Sequence, residues 1–97
     1  MSPGEPAVAA RERRLDVREL EPPEPLERAL AALPGLGPGE YLHMLHRREP
    51  LLLYELLEAQ GFRHCAREGP EAPWEIFIWR EGDEAARAAA EAACRGA

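Results

Sequence analysis

Pro22-Pro23-Glu24-Pro25 constrains this chain more than any other run of residues in it. Each proline holds φ near −65° and lacks an N–H, so neither a sheet ladder nor a helix interior passes through them. A helix does accept proline in its first turn, where the N–H groups have no partner inside the helix. Upstream, Leu15-Asp16-Val17-Arg18 alternates as a short strand with one buried face. Downstream, Leu26, Ala29, Leu30 and Leu33 recur at helical spacing. The run from Leu15 to Leu30 therefore reads as strand, sharp turn and helix start. Glu24 and Glu27 suit the positive end of that helix, and Pro34-Gly35 ends it.

The rest of the chain repeats this alternation. Tyr41 to His46 is a second strand, with Leu42, Met44 and His46 on one side and Tyr41, His43 and Leu45 on the other. Pro50 opens a second helix whose apolar face is Leu52, Leu53, Leu56 and Leu57, and Gly61 stops it. Phe62 to Arg67 is a third strand. It is joined through Glu68–Pro73 to a fourth, Trp74 to Trp79, whose aromatic and β-branched content marks it as central. Gly82 breaks that pattern, and residues 83–95 form an alanine-rich helix with Asp83, Arg87, Glu91 and Arg95 four apart. The order is β-α-β-α-β-β, an α/β (α+β) two-layer sandwich on a mixed four-stranded sheet, plus the C-terminal helix. Residues 1–14, without periodicity, read as a disordered tail, and 15–80 as the domain proper.

Ninety-seven residues make one domain with a modest core. Eighteen acidic side chains against twelve basic ones give a net charge of −6, which opposes binding to nucleic acid or to anionic membranes. No run is long and apolar enough for a membrane span or a signal peptide, so the expected location is the cytoplasm. Cys65 and Cys94 have neither metal-motif nor disulfide-framework spacing. In the cytoplasm they are expected as reduced thiols, Cys65 as a small buried hydrophobe and Cys94 as an exposed bystander.

Leu15-Asp16-Val17-Arg18, Pro22-Pro23-Glu24-Pro25, the Gly39-Glu40 turn, Leu-His-Arg-Arg-Glu-Pro at 45–50 and Leu-Tyr-Glu-Leu-Leu at 53–57 resemble the SirA/TusA group. The resemblance is greatest to its uncharacterised branch, domain-of-unknown-function family 2249, and it covers residues 15–80. It implies a βαβαββ sandwich with strand order 1-2-4-3. In TusA-like sulfur carriers the turn reads Cys-Pro-x-Pro, with a thiol activated at a helix start. The matching position here is Pro22, which has no nucleophile, so persulfide relay at this site is excluded. The branch also resembles proteins associated with haemerythrin-like and nitrogen-oxide partners.

Three candidate sites follow. Arg18, Glu24, Arg47 and Arg48 fall at the carboxyl end of the parallel strands, where open α/β sheets bind ligands, and arginine favours anions. Against an anion there, Pro23 and Pro25 remove two N–H groups, and Glu21 and Glu24 add negative charge. Tyr41, Phe77 and Trp79 form an apolar sheet face that marks an interface, covered by the last helix, by a second copy or by a protein partner. Met44 and His46 share a strand face and are of types that ligate copper or haem iron, without a recognised ligand spacing. There is no serine–histidine or cysteine–histidine arrangement, P-loop or dinucleotide fingerprint. The expected role is a non-enzymatic interaction or regulatory module that needs no cofactor and works with a protein partner or as a homodimer. The alternative is a domain that binds a small anion or a metal or haem cofactor.

Overall fold

The computed structural model of the chain describes residues 10–96. Those residues form β1 (Arg11–Asp16), α1 (Glu24–Ala32), a 3-10 turn (Leu33–Gly35), β2 (Glu40–His46), α2 (Leu51–Ala59), β3 (Phe62–Arg67), β4 (Trp74–Arg80) and α3 (Glu84–Cys94). The sheet order is β1-β2-β4-β3. β1 runs parallel to β2, and β4 runs antiparallel to both β2 and β3. The expected order and the central place of the fourth strand are thus both present.

β1 corrects the expected boundary. It begins at Arg11, inside the run expected to be disordered; residues 1–9 of that run lie outside the described residues. Arg11 to Asp16 pair in register with Glu40 to Leu45, and Val17 N–H continues the ladder by donating to Leu45 O at 3.0 Å. An edge strand needs no apolar alternation when its side chains pair instead. Arg11 and Arg13 both donate to Glu40, which is buried where β2 begins. Gly37 N–H also donates to Glu40, at 2.7 Å. That bond, with the two guanidinium groups, lowers the Glu40 carboxyl to about 2.

α1 and α2 cover one face of the sheet. Val17, Ala29, Leu33, Leu42, Met44, Leu53, Leu57, Ile76 and Ile78 make this core. Pro23 stands at the N-cap of α1 and Pro25 falls in its first turn. α2 departs from expectation at Leu52. Leu53 and Leu57 are buried, whereas Leu51 and Leu52 remain 63% and 59% exposed. Leu52 follows directly on the exposed Leu51 at the helix start, turned away from the stripe that Leu53 and Leu57 define.

α3 lies on the opposite face and adds a third layer. Ala86, Ala90 and Cys94 pack against Tyr41, Phe77 and Trp79. Asp83 caps the helix and also anchors it. Its Oδ1 accepts from Ala86 N–H at 3.0 Å, and its Oδ2 accepts from Gly39 N–H at 2.8 Å. In the expected charge ladder, Arg87 bonds Glu91 at 2.8 Å and also Glu84, while Asp83 is taken up by the cap.

Candidate functional site

At the rim, the side chains of Arg18 and Arg47 are turned to partners within the chain, while Arg48 is engaged through its backbone N–H. Arg18 forms a fork on Asp16, with Nε to Oδ1 at 2.9 Å and Nη2 to Oδ2 at 2.7 Å, and a third bond to Glu71 O at 3.1 Å. The fork, joined by the Arg18 backbone N–H, lowers the Asp16 carboxyl to about 2. Arg47 donates to Leu20 O at 3.0 Å and to Glu21 at 3.3 Å. Glu24 pairs with Arg28 one turn along α1, at 3.1 Å. The Arg48 backbone N–H donates to His46 Nδ1 at 3.1 Å. Burial, followed by the charges of Arg47 and Arg48, depresses the His46 pKa.

Between the starts of α1 and α2 the same edge holds an apolar cleft of about 220 Å³, lined by Pro22, Pro23, Pro25, Leu26, Pro50, Leu52 and Leu53, with His46 beside them. The prolines that deny an anion its N–H donors thus wall an apolar recess. Leu51 and Leu52, the exposed large hydrophobics among the described residues, stand where α2 begins, and Leu52 lines the recess itself. Met44 is fully buried in the α1/α2 core, while His46 lies at the cleft.

On the other face, Tyr41, Phe77 and Trp79 are brought together beneath α3, so intramolecular cover is the arrangement that forms. Beside them is a charged network that the sequence reading did not single out. His43 bridges two carboxylates, Nδ1 to Glu12 at 3.1 Å and Nε2 to Glu75 at 2.7 Å. Its ring stacks on Phe77 at 4.3 Å. Tyr41 donates to Glu12 at 2.9 Å, and burial followed by this bond raises the phenol to about 12. Glu75 is completely enclosed and also accepts from Arg67 at 3.0 Å and from Glu71 N–H at 2.6 Å. Burial alone pushes Glu75 upward, but the Glu71 N–H, His43 and Arg67 outweigh it and hold the carboxyl below its usual range. Arg67 also spans to α3, donating to Ala93 O at 2.8 Å, so a cation meets the negative end of that helix.

His43, Glu71 and Glu75 place potential metal-ligating atoms within 4.8 Å of one another. Arg67 and the Glu71 N–H already satisfy Glu75, and Arg14 pairs with Glu71. The cluster is therefore neutralised by the chain's own cations. One signal for the network was available in the sequence: Glu75 shares a strand face with Phe77 and Trp79, and a carboxylate on a covered face needs partners.

The cysteines overturn the expectation of reduced thiols. Cys65 of β3 and Cys94 of α3 form a disulfide, with Cα atoms 6.3 Å apart and a sequence separation of 29. Cys94 is only 6% exposed, not a surface bystander, because α3 turns it onto the sheet. Spacing alone concealed the pair, since the hairpin and the turn before α3 bring distant residues together. Closing a loop of this length removes about 3.5 kcal/mol of conformational freedom from the unfolded chain.

Residues 14–80 match the family described as an uncharacterised conserved protein, DUF2249, and the chain belongs to that family. The match takes in β2 to β4, α1, α2 and the cleft, and it ends at the last residue of β4. No curated protein and no solved structure matches the chain. Among the described residues, no helix is long and apolar enough to cross a membrane.

Proposed function

We propose that this domain is a non-enzymatic interaction module that grips a protein partner, or a second copy of itself, through the cleft between the starts of α1 and α2. The observation that carries this reading is an apolar recess beside two leucines left 63% and 59% exposed. Exposing such side chains together costs solvation free energy that a docked partner recovers. In SirA/TusA-like terms, the position of the sulfur carrier's cysteine is Pro22, which lines the recess. A reactive site is replaced there by a surface for holding. The rim arginines support the anionic-ligand alternative less well, because Arg18 and Arg47 are engaged by Asp16, Glu21 and backbone carbonyls. Action inside the cytoplasm is part of the same proposal.

The test compares wild type, Leu51→Glu/Leu52→Glu and Arg18→Ala/Arg48→Ala by partner capture from native lysate and by gel filtration with light scattering. The expected result is a captured partner, or a dimer mass, that is lost in the leucine variant and kept in the arginine variant. Melting of the leucine variant should stay near wild type, because surface changes of this kind shift stability by only about 0.5 kcal/mol. Loss only in the arginine variant, or no loss in the leucine variant, overturns the reading.

A further inference from the structure

We propose that α3 is a redox-latched cover, held over the aromatic face of the sheet by the Cys65–Cys94 disulfide and released when a dithiol reductant opens that bond. The helix offers little grip of its own. Its buried side chains are Ala86, Ala90 and Cys94, so its apolar contribution is made almost entirely of methyl groups. What else fastens it sits at its two ends: Asp83 bonds Gly39 N–H at one, and Arg67 bonds the Ala93 carbonyl at the other. The disulfide is the covalent tie from the helix to β3. Beneath the helix lie Tyr41, Phe77 and Trp79, each under 10% exposed and each part of the sheet rather than of the cover.

The chemistry is ordinary thiol–disulfide exchange. A thiolate of the reductant attacks Cys65 Sγ, since Cys65 is half-buried and Cys94 more deeply enclosed. The S–S bond breaks, and Cys94 leaves as a thiolate and takes a proton from water. The second thiol of the reductant then displaces Cys65. Two electrons and two protons pass to the protein, and the reductant closes to its own disulfide. With the tie gone, the segment from the end of β4 at Arg80 to Cys94 is held covalently at one end only, and its far end rests on the Arg67 bond to Ala93 O. Loop closure over a segment of that length is worth a factor on the order of 100 in the opening equilibrium. β2 and β4 keep their ladder and the α1/α2 core, so opening is local.

The test is amide hydrogen exchange, read by mass spectrometry, on the full chain before and after dithiothreitol, with thiol trapping to score the disulfide. The expected result is a disulfide in protein equilibrated with oxidised glutathione. On reduction, residues 84–94 should exchange about 100-fold faster, and at least about tenfold faster than the slowest amides of β2 and β4, which lose only the global stability that the disulfide adds by constraining the unfolded chain. Cys65→Ala/Cys94→Ala should show the reduced pattern without reductant and no response to it. The latch is refuted if both thiols remain free after oxidation, or if α3 keeps its protection once trapping shows both thiols released. It is equally refuted if, in the reduced protein, residues 84–94 and the slowest amides of β2 and β4 show the same protection, and that outcome is read from the wild-type chain even if the alanine variant does not fold.

Discussion

Replacing Glu75 tests whether the enclosed charge network stabilises the fold. Glu75→Ala removes a carboxylate with no solvent exposure that accepts from His43 at 2.7 Å, Arg67 at 3.0 Å and Glu71 N–H at 2.6 Å. The donors left behind decide the magnitude. The side chain of His43 is 4% exposed and stays dry, whereas that of Arg67, at 21%, regains some water. Breaking a buried pair by deleting one partner costs about 3–5 kcal/mol, and the rehydration of Arg67 places this case near about 3. Stability for a chain of this size is about 5–15 kcal/mol, so the loss is a large share of the whole. Glu75→Gln keeps the volume but sets an NH₂ against a donor, and should cost about 2 kcal/mol. Urea unfolding at pH 7 without reductant measures both, with the slope required to stay constant. Arg67→Met completes a double-mutant cycle, with an expected coupling of about 1 kcal/mol or more. The argument fails if Glu75→Ala unfolds within about 1 kcal/mol of wild type, or if the two single changes add to within about 0.5 kcal/mol.

Asp16 and Glu40, each lowered to about 2, and Glu75, lowered by its partners, all have folded pKa values below their unfolded ones. Their contribution is complete above the unfolded carboxyl range and is lost as pH falls through the folded values, so the urea midpoint should drop steeply between about pH 4.5 and 2. Tyr41, raised to about 12, works in the opposite sense. Its contribution holds below pH 10 and is lost as pH rises toward 12, so an alkaline titration should show a second decline that Tyr41→Phe reduces, the remainder belonging to Tyr54, which burial and Glu49 also raise. Asp83→Ala deletes a helix cap and the Gly39 tie together. It should cost about 1–2 kcal/mol in urea unfolding and raise exchange along α3 in the oxidised protein, whereas Asp83→Asn, which keeps a single acceptor and sets its NH₂ against the second N–H, should recover only part of the loss.

Most of the architecture was legible in local chemistry. The prolines at 22–25 fixed where α1 starts, and Trp74 to Trp79 announced a strand covered on both faces. The first four residues of β1 escaped notice because they are Arg-Glu-Arg-Arg, and their pairing depends on Glu40, 29 residues from Arg11. Leu52 was assigned to a buried face on periodicity, but a helix of nine residues covers the core with only part of its apolar surface. Of the rim, the sequence indicated the residues but not their pairings. Arg18 meets Asp16 and Glu71, the second of them far along the chain. The Glu12–His43–Glu75–Arg67 network and the disulfide are products of strand order, which joins four strands and α3 at one place; apart from the place of Glu75 on a covered face, composition and spacing carry no trace of that convergence.

The division of bulk between β4 and α3 has its own consequence. Rings stand on the sheet and methyl groups on the helix, with Ala86 and Ala90 wholly enclosed. The width of the gap is therefore set from one side only. Any thickening on the helical side must be matched by trimming on the strand side, so these positions can change only in complementary pairs, a hinge of mutual fit like that of a key and its ward.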